Sequence, residues 1–200
     1  MTSQQQIPDI LVPYETTINA PIQDVWGCLA DFGGWPRWTA SLKWMIIEGD
    51  GVEKVGCIRK FQSATSGNTY EEKLLEKDNK NFVLKFCNVS SDPPMPFIEY
   101  QLVTGRLEAL GKDKTAVHYL VRVTPNVQLP EDKIEAFKKL GTKTYDEMFV
   151  DMQKYLDQQR KSAAFHTFLV AFGSGILFKL LFDNYLFPTS DSKNSSSSEK

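Results

Sequence analysis

The sequence predicts an α+β domain in which a curved antiparallel sheet of about seven strands wraps around one long C-terminal helix, with two short helices after the first strand. Three observations support this prediction. Large apolar side chains recur every three or four residues between positions 130 and 160, which is typical of an amphipathic helix. Between residues 42 and 125 the apolar pattern alternates instead, as it does in strands. No helical segment separates these strands, so neighbouring strands are expected to pair antiparallel.

The first strand is predicted over residues 11–19, and a short helix follows it. Pro21 suits the first turn of that helix, because an amide hydrogen at this position would have no intrahelical acceptor. The helix is expected to end before the glycine pair at 33–34. Pro36 cannot continue it, so the tryptophan-rich segment around Pro36 is predicted to form a second, short helical turn.

Six further strands follow from the alternating pattern: residues 42–50, 56–62, 68–78, 81–89, 96–110 and 115–125. The segments between them are rich in glycine, aspartate, asparagine and proline, which favour hairpins and tight turns. Such short connections predict a meander, in which each of these strands pairs with the next one along the chain.

The long helix is predicted over residues 130–160, with Pro130 and two acidic residues in its first turn. Gly141 weakens its middle by roughly 1 kcal/mol and permits a bend. The apolar stripe of this helix is expected to lie on the sheet. It consists of Ile134, Phe137, Leu140, Tyr145, Met148, Phe149, Met152, Tyr155 and Leu156.

Length and composition exclude several functional classes. Two hundred residues suffice for one domain with a hydrophobic core. A formal net charge of −2 offers no concentrated basic surface, so no nucleic-acid partner is expected. The three cysteines lack CxxC or histidine pairing, and no phosphate-binding loop occurs, so neither a metal nor another cofactor is expected. Nothing in the composition indicates an oligomeric state.

Four regions are expected along the chain. Residues 1–9 lack the apolar core of a signal peptide and are expected to be disordered, and residues 10–161 form the domain. Residues 162–187 are apolar after two basic residues, and a helix over residues 162–182 would reach about 30 Å, the thickness of a bilayer core. This segment is a candidate membrane anchor for a cytoplasmic domain; the alternative is an amphipathic helix on the domain itself or on a partner. The serine-rich residues 188–200 are expected to be disordered.

The order of the elements, together with the segment TTINAPIQDVWGCLADFGGWPRW, resembles the START-like (SRPBCC) superfamily. That superfamily includes the birch-pollen allergens, the polyketide cyclase-like proteins and the plant abscisic-acid receptors. The resemblance covers roughly residues 10–160. It implies the helix-grip fold and, with the apolar strand faces, an internal cavity that holds a hydrophobic small molecule or lipid.

Three segments resemble the plant branch that contains lachrymatory-factor synthase: KVGCIRKF, EEKLLEKDNKNF and FIEYQL. In that enzyme an arginine, a glutamate and a tyrosine are implicated in a proton-transfer rearrangement. The matching positions here are Arg59, Glu72 and Tyr100. The resemblance implies that Glu72 moves a proton, Arg59 stabilises negative charge and Tyr100 donates a hydrogen bond. The alternative is a buried structural network in a protein that only binds its ligand.

Strand alternation places these three residues on the more apolar face of their strands, where Tyr100 is grouped with Ile98 and Leu102. Burial of an unpaired charge is costly, so Arg59 and Glu72 are expected to pair directly, or through Tyr100 or water. The residues predicted to contact a ligand are Arg59, Phe61, Tyr70, Glu72, Phe82, Leu84, Phe86, Tyr100, Tyr119, Phe149 and Met152.

Three functions are open at this point. The first is the carriage, transfer or sensing of a hydrophobic small molecule or lipid in an internal cavity. The second is a cofactor-independent enzyme, similar to a cyclase, isomerase or dehydratase, that uses the arginine, glutamate and tyrosine named above. The third is a membrane-tethered interaction module with a filled core.

Overall fold

The computed structural model describes residues 7–49 and 51–173. The described elements confirm the predicted α+β helix-grip fold, with seven strands, two short helices after the first strand and a long closing helix. In chain order they are β1 (Ile10–Ile18), α1 (Ile22–Ala30), a 3-10 turn (Trp35–Arg37), β2 (Leu42–Ile47), β3 (Ile58–Ser63), β4 (Thr69–Asp78), β5 (Val83–Asp92), β6 (Ile98–Gly111), β7 (Lys114–Pro125) and α2 (Glu131–Gly173).

The strands form one antiparallel sheet in the order β1-β7-β6-β5-β4-β3-β2. From β2 to β7 each strand pairs with the next one along the chain, which confirms the predicted meander. β1 pairs with β7 over its whole length, from Ile10 opposite Val123 to Ile18 opposite Thr115. The first and last strands of the chain are therefore neighbours, and β1 and β2 form the two edges of the sheet.

The tryptophan-rich turn packs back on α1 through its indole groups. Trp35 Nε1 donates to the carbonyl of Leu29 at 3.2 Å, and Trp38 Nε1 donates to the carbonyl of Cys28 at 3.2 Å. Carbonyls in the last turn of a helix lack intrahelical partners, so these bonds fix the turn against α1. At the other end of α1, Pro21 has an extended ψ of 146° and is the N-cap residue. The helix therefore begins at Ile22, one residue later than predicted.

α2 packs on the sheet through the buried side chains of Met148, Phe149, Met152 and Leu156. Gly141 approaches β1 closely, since a side-chain carbon there would lie 3.4 Å from Cγ1 of Val12. Leu140 is 62 % exposed, so its predicted place in the apolar stripe is wrong. It precedes Phe149 by about two and a half helical turns, which puts it on the opposite side of α2.

The chain divides into two compact units, with the boundary between Leu156 and Asp157. In the part of the chain that the structure describes, no helix is long and apolar enough to cross a membrane. Residues 174–187 of the predicted anchor lie outside the described residues, as do the predicted disordered termini apart from residues 7–9. Membrane attachment through residues 162–187 therefore stays a prediction.

Candidate functional site

The inner face of the sheet and the side of α2 that faces it, up to Leu156, enclose an apolar interior. The alternation of inward and outward residues predicted for β3, β4 and β7 is confirmed by their burial. Their buried inward residues are Arg59, Phe61, Glu72, Leu74, Val117, Tyr119, Val121 and Val123. Two of these residues carry formal charges, and the chemistry of the interior depends on how those charges are held.

Arg59 and Glu72 form a buried ion pair. They lie opposite each other on β3 and β4, and they are 1 % and 8 % exposed. Arg59 Nε donates to Glu72 Oε2 at 2.8 Å, and Arg59 Nη2 lies 2.5 Å from the same oxygen. The predicted pairing of the two charges is therefore confirmed, and each charge compensates the other in a medium that solvates neither.

The guanidinium of Arg59 has further partners besides Glu72. Nη1 donates to the carbonyl of Phe32 at 3.0 Å. The ring centroids of Phe32 and Trp35 each lie 3.9 Å from the guanidinium carbon, and that of Phe86 lies 4.7 Å away. Aromatic faces stabilise a desolvated cation. Arg59 is thus enclosed by residues of its own chain.

Glu53, in the loop between β2 and β3, fixes the turn that supplies Phe32. The amides of Phe32 and Gly33 donate to the two Glu53 carboxylate oxygens at 3.0 and 2.7 Å. Lys77 Nζ lies 3.5 Å from Glu53 and partly balances its charge. Phe32 is therefore held through its amide by Glu53 and through its carbonyl by Arg59. No sequence pattern singled out Glu53, because it lies in a loop where alternation carries no information.

Burial raises the pKa of the Glu72 carboxyl, and the charge and hydrogen bonds of Arg59 partly offset that effect. Both contacts with Arg59 use Oε2. Oε1 receives no hydrogen bond from a residue that the structure describes. Glu72 thus combines a perturbed pKa with one unused acceptor atom, and such groups are candidates for proton transfer or ligand contact.

Tyr100 does not join the ion pair. The buried residues of β6 are Val103, Gly105 and Leu107, so the prediction that Tyr100 lies on the inner face is wrong. A register irregularity precedes Tyr100, which pairs with Thr124 on β7. Burial and a hydrogen bond with Cys87 raise the pKa of Tyr100 on this other face of the sheet.

Tyr100 instead borders a surface pocket of about 250 Å³ near the start of β6. Its lining mixes polar and apolar side chains, including Asn88, Ser91, Met95 and Ile98. Arg59 and Glu72 are not part of that lining. The structure therefore brings together two members of the predicted trio and separates the third.

Two phenols that the sequence did not connect with the ion pair lie close to each other in the interior. The ring centroids of Tyr119 on β7 and Tyr145 on α2 are 5.4 Å apart. Burial is the main cause that raises the pKa of both hydroxyls, and the charges of Arg59 and Glu72 act on both. Both phenols therefore stay protonated at neutral pH and are hydrogen-bond donors in the interior.

The Tyr119 hydroxyl is buried and forms no hydrogen bond with any residue that the structure describes. Its ring packs edge-on against Phe149 at 5.3 Å and lies over Gly105, where a side-chain carbon would be 2.7 Å from Tyr119 Cε2. The ring thus occupies the space that a glycine leaves on the neighbouring strand. A glycine inside a strand often marks such a close approach. Gly105 is therefore a feature of the sequence from which this contact could have been predicted.

The remaining predicted ligand contacts are spread over the apolar interior. Phe61 stacks on Tyr70 with centroids 5.4 Å apart, and Phe82 lies edge-on to Trp26 at 5.7 Å. The fully packed members are Leu84, Phe86, Phe149 and Met152. Their part in ligand binding stays a prediction.

The fold is similar to solved structures of low sequence identity. Ara h 8.0201 matches with a TM-score of 0.61 and 15 % identity, over 75 % of this chain and 99 % of that one. A START superfamily protein from Mycobacterium smegmatis matches with a TM-score of 0.60 and 16 % identity, over 74 % and 98 %. An uncharacterised protein from Bacillus thuringiensis matches with a TM-score of 0.59 and 17 % identity, over 72 % and 96 %. At these identities the likeness concerns the fold alone.

No protein of curated function matches the sequence. Residues 10–157 match the family described as polyketide cyclase / dehydrase and lipid transport. The matched range contains all seven strands, the buried ion pair and the part of α2 that packs on the sheet. Membership supports the binding of hydrophobic ligands in general. The chain belongs to the polyketide cyclase / dehydrase and lipid transport family of the START-like superfamily.

Proposed function

We propose that the protein binds a hydrophobic small molecule or lipid between the inner face of the sheet and α2. The observation that carries this proposal is the chemistry of that interior. Apolar and aromatic side chains from the strands face Phe149 and Met152, while Arg59 and Glu72 neutralise each other. A site that is mostly apolar with a few fixed polar groups is typical of small-molecule binding.

Family membership supports the same function, because lipid transport is one of the activities in the family description. We therefore favour carriage, transfer or sensing, in which the ligand leaves unchanged. The polar groups would then orient the ligand while the apolar surface supplies most of the affinity.

A bulky side chain on the inner face should displace a ligand from this space. Val121 points inward and is 4 % exposed, whereas its neighbour Leu120 points outward and is 42 % exposed. We expect Val121→Trp to weaken the binding of Nile red, a neutral hydrophobic dye, by about tenfold or more, which corresponds to ~1.4 kcal/mol. Fluorescence titration of the full chain measures the change.

Leu120→Trp is the matched control, since it adds the same side chain to the same strand on the other face. Thermal unfolding of both variants checks that the larger side chain has not unfolded the protein. Equal dye binding by the two folded variants would contradict a ligand site on the inner face.

A second candidate is a cofactor-independent enzyme of the cyclase, isomerase or dehydratase type. The specific observation in its favour is Glu72, whose pKa is raised by burial and whose Oε1 has no hydrogen bond from a described residue. A carboxyl with these properties can take up and return a proton during a rearrangement. Tyr100 is no longer part of this proposal, because it lies on the other face of the sheet.

Glu72→Gln separates the two candidates. The amide keeps an acceptor for Arg59 but cannot carry a proton, so an enzyme should lose turnover by about 100-fold or more. A carrier should release its ligand unchanged whichever residue is present. Mass spectrometry of the ligand before and after incubation with the wild type and the variant distinguishes them. Conversion at equal rates by both folded proteins would contradict a catalytic role for Glu72.

A further inference from the structure

The buried positive charge of Arg59 is already paired within the protein. Arg59 is 1 % exposed, and it donates to Glu72 through Nε and to Phe32 through Nη1. The ring centroids of Phe32 and Trp35 each lie 3.9 Å from its guanidinium carbon. An anionic ligand headgroup would have to compete with the Glu72 carboxylate for this cation, and no net positive charge is left to attract it.

Tyr119, in contrast to Arg59, carries a buried polar group that is not paired with a described residue. It is 2 % exposed, and its hydroxyl has no hydrogen-bond partner among residues 7–49 and 51–173. Buried polar groups in folded proteins are nearly always hydrogen-bonded, so an unpartnered hydroxyl calls for a specific reason. The isosteric phenylalanine would fill the same space without that requirement.

The position of Tyr119 is fixed by its neighbours. Its ring lies over Gly105 of the neighbouring strand, and it also packs against Tyr145 and Phe149 of α2. The hydroxyl is therefore held inside the proposed ligand site. Since burial raises its pKa, the group is a neutral donor and requires an acceptor.

We infer that the Tyr119 hydroxyl donates a hydrogen bond to the ligand, and that the ligand is a neutral, largely apolar molecule with an accepting oxygen, such as a ketone or an ester. This inference rests on the proposed function, and it adds the ligand class. It excludes free carboxylates as preferred ligands, because the interior offers a neutral donor and a cation that is already neutralised.

Three related probes test the inference on the full chain. Diphenylmethane and benzophenone have nearly the same shape and differ by one carbonyl, and diphenylacetate carries a negative charge. Isothermal titration or dye displacement gives their affinities. We expect benzophenone to bind about fivefold more tightly than diphenylmethane, as for one neutral hydrogen bond, and more tightly than diphenylacetate.

Tyr119→Phe should remove the preference for benzophenone and leave the affinity for diphenylmethane unchanged. Tyr100→Phe is the matched control: it removes the same hydroxyl from the other face of the sheet and should keep the preference. Without ligand, Tyr119→Phe should melt at the same temperature as the wild type or a few degrees higher, because it removes an unpartnered buried hydroxyl.

The outcomes separate this inference from the function on which it rests. Equal binding of benzophenone and diphenylmethane by the wild type, or a preference that survives in Tyr119→Phe, would overturn the inference and leave hydrophobic binding in place. A preference for diphenylacetate would overturn the ligand class. Absence of binding by every probe would overturn both the inference and the proposed function.

Discussion

Replacement of Arg59 by methionine is expected to lower the free energy of unfolding by about 3–5 kcal/mol, because it leaves the Glu72 charge buried without its partner. The variant also loses the donor to the Phe32 carbonyl and the cation–π contacts with Phe32 and Trp35. Chemical denaturation of the full chain, followed by circular dichroism, measures the difference.

Two further variants give this prediction its controls. Lys60→Met breaks the solvent-screened pair between Lys60 and Glu71 on the same two strands, and it should lower the stability far less than Arg59→Met does. The double replacement of Arg59 by methionine and Glu72 by leucine removes both charges, and it should recover most of the stability lost in the single variant. A loss below ~1 kcal/mol in Arg59→Met, or a double variant less stable than the single one, would contradict a mutually compensating buried pair.

Phe149→Ala is expected to lower the free energy of unfolding by about 3–5 kcal/mol, the usual range for removal of a buried aromatic side chain. Phe149 is 2 % exposed, and its ring contacts Tyr14 and Tyr119 at centroid distances of 5.7 and 5.3 Å. Through this ring α2 contacts both β1 and β7, as it also does through Tyr145. The same denaturation measurement applies.

Val150→Ala is the control for that prediction, because Val150 is the next residue on α2 and is 52 % exposed. A surface substitution of this kind should change stability by less than about 0.5 kcal/mol. Comparable losses in the two variants would indicate a general effect on the helix, and they would contradict a specific packing role for Phe149.

Alternation predicted the burial of Arg59 and Glu72 correctly because β3 and β4 pair without a register shift at these positions. In each of these two strands, one face is more apolar than the other. Arg59 and Glu72 belong to the more apolar face of their strands. Once both residues face inward from paired positions, desolvation requires them to meet. The core of the candidate site could therefore be predicted from two short segments of sequence.

The same reasoning failed on β6, where both faces carry large apolar residues. The prediction took the face that contains Tyr100 as the inner one, but the inner face is the one that contains Gly105. A glycine adds nothing to the hydrophobic pattern, and here a larger residue would collide with the ring of Tyr119. A period of two assigns residues to faces but cannot say which face is inner when the contrast is weak. Glu53 was not predicted for a different reason. Its two contacts with the Phe32–Gly33 turn join segments that are distant in the sequence, and no local pattern indicates them.

The most direct test of hydrophobic binding is native mass spectrometry of the full chain after incubation with a cellular lipid extract, followed by organic extraction of the bound material. We predict a complex of defined mass that releases one class of neutral, oxygen-containing apolar compound. Val121→Trp should abolish this complex, and Leu120→Trp should retain it. A wild-type protein that stays free of ligand, and that also fails to take up Nile red, would contradict the proposed function.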